Sequence, residues 1–98
     1  MLENFTLTTF ADRIGETFRV DEGARPLELR LVDASAGPSR TAPRERRAPF
    51  SVVFLGPPEP VLPQRIYRLR NDNLGEFEIF IVPIGPAGDG MQYEAVFA

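Results

Sequence analysis

The sequence predicts an all-β fold, a small antiparallel β-barrel or β-sandwich of about seven strands, and three observations carry that reading. The longest apolar run, Glu76–Gly85 (E-F-E-I-F-I-V-P-I-G), is rich in β-branched and aromatic residues, which favour strand over helix. Leu27, Leu29 and Leu31 alternate with Glu28, Arg30 and Val32, the period of a half-buried strand. Segments of this kind recur along the chain between turn residues, at the spacing of a sandwich or barrel.

Taken in order, Phe5–Phe10 alternates and carries three threonines, which predicts a first strand. Thr9–Arg13 reads as a short turn with Thr9 or Asp12 bonding local backbone, too short for a stable helix. Glu16–Val20 predicts a strand with Phe18 and Val20 inward, closed by a hairpin turn at Asp21-Glu22-Gly23. The Leu27–Val32 strand follows. From Ser35 to Arg47 the chain has two prolines, no large apolar residue and four arginines, and reads as a mobile Arg/Pro-rich loop within a single domain spanning residues 1–98.

Ala48–Leu55 predicts a strand with Phe50, Val52 and Phe54 on one side and Ser51, Val53 and Leu55 on the other. Gly56–Pro60 is a stiff, proline-rich turn. In Ile66–Arg70, Tyr67 and Leu69 alternate with Arg68 and Arg70, and Asn71-Asp72-Asn73 then turns the chain. In the long apolar run, Phe77, Ile79 and Ile81 face one way and Glu78, Phe80 and Val82 the other, so the strand is expected to start half-exposed and finish buried on both faces. Pro83 has no N–H to give, so pairing should weaken or end there. Gly85–Gly90 reads as a flexible hairpin loop, and Met91–Phe97 as a closing strand with Met91, Tyr93, Ala95 and Phe97 on one face.

The 98 residues make up one small domain's length. The net charge of −3 argues against nucleic acid or an anionic membrane as partner. The absence of Cys removes disulfides and thiolate metal sites, and the absence of His removes the commonest general base and transition-metal ligand. All eleven cations are arginine. The N-terminus has no basic region followed by an apolar one, and no run reaches the length of a membrane span. Cytoplasmic location is the default expectation, with export by a partner left open.

Chemistry-bearing motifs are sparse. Glu76 and Glu78 share a strand face about 7 Å apart, the one pair resembling a glycosidase couple, but they read as a solvated face. Asn71-Asp72-Asn73 with Gly75 and Glu76 lacks the spacing of a calcium loop. Gly85–Gly90 precedes a strand, not the helix that a phosphate cradle needs. Arg40 and Arg44-Glu45-Arg46-Arg47 form the one basic cluster, read as a solvated loop or a contact for an acidic protein surface. Ser35, Ser39 and Ser51 have no histidine or lysine to activate them, and Tyr67 and Tyr93 read as core-edge residues. No catalytic residue, cofactor or metal is expected.

Four segments carry a resemblance: A-P-F-S-V-V-F at Ala48–Phe54, L-P-Q-R-I-Y-R-L at Leu62–Leu69, L-G-E-F-E-I-F-I-V-P-I-G at Leu74–Gly85 and G-M-Q-Y-E-A-V-F at Gly90–Phe97. With the opening L-E-N-F-T-L and I-G-E-T-F-R-V at Ile14–Val20, they resemble a family of uncharacterised bacterial β-domains of this length, ending in G-x-x-Y-E-A-V-F. The Ser35–Arg47 segment has no counterpart. An association of such domains with phage-tail-collar-like proteins would imply a structural or assembly role and assigns no functional residues.

The functional expectation is a non-enzymatic structural or protein-interaction module, in its finer form an assembly component of a phage-tail-like or filamentous structure. The alternative is a small-ligand or carbohydrate-binding domain, favoured if Tyr67, Tyr93 and arginines line a cleft. The third reading is a hydrolase using Glu76 or Glu78. Val53, Leu55, Phe80 and Val82 supply second apolar faces that one small core cannot bury, and with Arg44, Arg46 and Arg47 they are the expected contact residues for another protein or a copy of the chain. Open strand edges would invite strand addition.

Overall fold

The computed structural model describes residues 5–21, 26–36 and 50–97. One short helix, α1 (Leu7–Ala11), precedes six strands: β1 (Thr17–Val20), β2 (Leu27–Ala36), β3 (Phe50–Gly56), β4 (Arg65–Asn71), β5 (Gly75–Ala87) and β6 (Gly90–Phe97). The strands close into an antiparallel barrel in the order β1-β2-β3-β6-β5-β4. Two three-stranded meanders, β1-β2-β3 and β4-β5-β6, lie antiparallel to each other, and the pairing scheme is unchanged when one is exchanged for the other. Each middle strand carries a register shift against the strand that follows it, between Leu31 and Asp33 in β2 and between Pro83 and Gly85 in β5. Such bulges bend a strand, and a sheet must bend to close.

The expected strand at Phe5–Phe10 is instead the approach to α1 and most of its length. Thr6 caps the helix: its Oγ1 accepts from the Thr9 N–H at 3.3 Å, and the Thr6 N–H donates to the Thr9 Oγ1 at 3.1 Å. The threonines that suggested a strand therefore satisfy the orphan donors of a helix start, in a capping box with Thr in place of Glu. The gain is placement of Phe10, fully buried beside Phe5, Phe18, Phe50, Phe77 and Phe97. One helical turn is marginal alone, so burial of this ring stabilises it.

At the opposite end, the connection from β3 to β4 crosses the barrel and buries Leu62. Two tyrosines hold it. The Leu62 N–H donates to the Tyr93 hydroxyl at 3.0 Å, and the Tyr67 hydroxyl donates to the Pro63 carbonyl. Between the two ends the core comprises Val20, Leu29, Leu31, Val52, Phe54, Leu69, Ile79, Ile81 and Ala95. This matches the inward parity expected of every strand from β1 to β6.

Several boundaries differ from the sequence reading. Strand β2 continues through Ser35 and Ala36, which pair with Ser51 and Phe50, so the strand replaces the first two residues of the expected loop. The remainder of that loop lies outside the described residues. Strand β5 does not stop at Pro83: its pairing with β4 ends at Ile81, and pairing with β6 begins at Val82 and runs to Ala87. The missing N–H of Pro83 falls beside that change of partner. The loop expected at Gly85–Gly90 shrinks to Gly88-Asp89, where Gly88 has a φ of +58° as a two-residue hairpin turn of type II′ requires. Phe80 remains substantially exposed, so β5 does not finish buried on both faces. Among the described residues every strand has a neighbour on both sides, which leaves no described strand at the end of a sheet for simple strand addition.

Replacing Phe10 by Ala should lower the unfolding free energy by about 3–5 kcal/mol, a large fraction of a small domain's stability. Thr6→Ala should lower it by about 1 kcal/mol. Urea denaturation followed by circular dichroism checks both; an effect of Phe10→Ala no larger than that of Thr6→Ala would contradict the packing described.

Candidate functional site

The outer surface divides by chemistry. Outward positions of β2, β1, β4 and the first half of β5 carry charges, and the ladders set them in a row, Glu28–Arg19–Arg70–Glu76. Arg19 and Arg70 face each other across the β1–β4 seam and are neutralised from the sides. Arg19 pairs with Asp72 at 3.4 Å, and Arg70 with Asp21 at 3.6 Å and with Glu76 at 2.7 Å. One rung further along β4–β5, Arg68 pairs with Glu78 at 3.6 Å.

The next rung is apolar. Ile66 stands opposite Phe80 and both face outward, 62% and 47% exposed. The outer face of the β4–β5 ladder thus reads Arg70/Glu76, Arg68/Glu78, Ile66/Phe80. Seven of the eight phenylalanines meet one another in the interior; Phe80 is the eighth.

Val53 and Leu55 on β3 and Val82 on β5 also lie on outward parity, all half-buried. Strand β6 separates them, with Glu94 opposite both Val53 and Val82 and Gln92 opposite Leu55. The four expected apolar contact residues therefore form two groups rather than one patch. Ile66, which the sequence reading missed, completes the more exposed group. Its parity with Arg68 and Arg70 in R-I-Y-R-L-R was the available signal. Arg44, Arg46 and Arg47 lie outside the described residues.

The other candidates each make defined contacts within the barrel. Glu76 and Glu78 sit on the outward face, each beside an arginine. Tyr67 and Tyr93 are buried and hold the β3–β4 connection. Asn71 is buried and bonded throughout. Its Oδ1 accepts from the N–H groups of Asn73 and Leu74 at 2.8 and 3.0 Å. Its Nδ2 donates to the Glu16 carboxylate and the Thr17 carbonyl, each at 3.1 Å. The tripeptide that faintly suggested a calcium loop is thus a turn latched to β1. Among the described residues, no group of three or more acidic, His or Cys side chains could hold a metal.

An open groove of about 560 Å³ lies between the β5–β6 hairpin tip and the outer side of β2 and β3, lined in part by Glu28, Arg30, Leu55, Gly56 and Asp89. Its floor is tight. A Cβ on Gly90 would meet Leu55 Cδ1 at 2.9 Å and the Gly56 carbonyl, so only glycine fits where the two strands approach. No helix among the described residues is long and apolar enough to cross a membrane.

These features define a small closed antiparallel β-barrel with an ion-paired surface that turns apolar at one rung. The chain belongs to the family described as Domain of unknown function (DUF6916), which it matches over residues 5–97. No curated protein and no solved structure matches it.

Asn71→Ala should destabilise the barrel by about 1–3 kcal/mol, because the buried groups it serves lose their partners. Glu78→Gln should change stability by less than about 1 kcal/mol, as for other exposed pairs. Thermal denaturation of the two variants checks the contrast, and equal losses would refute the roles assigned to these side chains.

Proposed function

We propose that this barrel is a non-enzymatic protein-interaction module that docks through the outer face of β4–β5 around Ile66 and Phe80. The observation that carries the proposal is the placement of Phe80, the one phenylalanine outside the interior cluster, opposite another exposed apolar side chain. Aromatic anchors beside arginines are the residues that dominate binding energy at protein interfaces. The non-enzymatic part rests on the chain's lack of His and Cys and on the pairing of Glu76 and Glu78 with arginines on an outward face. An association of the domains it resembles with phage-tail-collar-like proteins would favour the finer form of the proposal, an assembly component of a phage-tail-like or filamentous structure.

The groove beside Glu28, Arg30 and Asp89 favours a second reading, a small-ligand or carbohydrate-binding domain. Two substitutions separate the readings. Phe80→Glu should leave the fold intact, shifting stability by no more than about 1 kcal/mol. It should weaken capture of a stoichiometric protein partner, or of the chain itself, by more than about tenfold. Arg30→Ala should leave that capture unchanged. Binding to a glycan panel that is lost in Arg30→Ala and kept in Phe80→Glu would favour the second reading instead.

A further inference from the structure

We infer that the occupant of the β4–β5 face is a second copy of this chain, packed face to face about a two-fold axis that runs along the ladder between the two strands. The inference rests on the reading of this face as an interface and names its partner. The outward residues of β4 in the three rungs are Ile66, Arg68 and Arg70; those of β5 are Phe80, Glu78 and Glu76. One strand is basic where the other is acidic. Turning a copy over about an axis between the strands lays its β5 on the first copy's β4. Ile66 then meets the second copy's Phe80, Arg68 its Glu78, and Arg70 its Glu76.

Every rung is complementary to its own reverse, which is the condition for an isologous interface. An axis set across the strands fails this test, because it stacks Ile66 on Ile66 and carries the charged rungs beyond Phe80 towards Val82. The charged side chains remain available for a partner. Those of the Arg68–Glu78 pair are 57% and 63% exposed, and those of Arg70–Glu76 47% and 49%. Twisted sheets packed face to face are inclined by about 30°, which keeps the central rungs in contact. Three rungs make a small interface, below the area typical of stable dimers, so the dimer is weak and depends on concentration.

Sedimentation velocity from micromolar to millimolar concentration tests the proposal by complementation. An all-acidic face, Arg68→Glu with Arg70→Glu, should make the protein monomeric. So should an all-basic face, Glu76→Arg with Glu78→Arg. An equimolar mixture of the two should form a heterodimer, and adding Phe80→Glu to both should raise its dissociation constant by more than about tenfold. A mixture that stays monomeric overturns the proposal. If either charge variant fails to fold, the wild type decides. A concentration-dependent dimer that is lost in Phe80→Glu supports the proposal; a monomer throughout, or a dimer indifferent to Phe80→Glu, overturns it. A monomeric wild type that still captures a different protein through Phe80 would refute self-association and leave the interaction module standing.

Discussion

The structure depends on the burial of Phe10. Six short strands enclose an interior whose ends must be filled, and at one end the filler is a single ring carried on one helical turn. That ring touches phenylalanines from β1, β3, β5 and β6, so it ties both meanders together. The tie matters because the β1–β4 seam is slight. It consists of Arg19 opposite Arg70 and Val20 opposite Leu69, with the Asp21 N–H reaching the Arg68 carbonyl at 3.4 Å. Two arginines face each other at this seam, so its backbone bonds alone are a weak closure. Apolar packing behind it, with Phe10, Phe18 and Phe77 in mutual contact, supplies what the ladder lacks.

The same closure determines what is left for the surface. Because inward parity is filled by Tyr67, Leu69, Phe77, Ile79 and Ile81, the alternate residues of β4 and β5 must face out, whatever their chemistry. Four of the outward residues are charged and neutralise one another across the ladder. Ile66 and Phe80 have no such excuse in water. This apolar rung at the end of an ion-paired ladder is the observation on which the proposed contact with another protein surface rests.

Much of the barrel was legible in the sequence because strand parity is a local signal. Phe18, Val20, Leu29, Leu31, Val52, Phe54 and Tyr93 all fall inward as alternation predicts. What was not legible depends on partners distant in sequence. The threonines near Phe5 fit a strand or a capped turn equally well, and the choice rests on the rings that surround Phe10. The passage of β5 through Pro83 depends on a change of neighbour that no local pattern encodes. Of the candidate contact residues, Phe80 and Val82 were readable as a second apolar face, but Ile66 joined them only through the β4–β5 register. The separation of Val53 from Val82 by β6 follows from the crossover between the meanders, which leaves no trace in either segment.

The central claim is that seven phenylalanines build the interior and one builds a contact surface. Fluorine NMR of protein labelled with fluorophenylalanine tests it most directly, since each of the eight rings reports its own surroundings. The account predicts that the Phe80 resonance, assigned by its loss in a Phe80→Leu variant, shifts with protein concentration, while the resonances of Phe10, Phe18 and Phe54 stay fixed. In dilute solution it should also broaden when a soluble paramagnetic agent is added. A Phe80 resonance insensitive to both concentration and the agent, or concentration-dependent shifts at the interior rings instead, would contradict it.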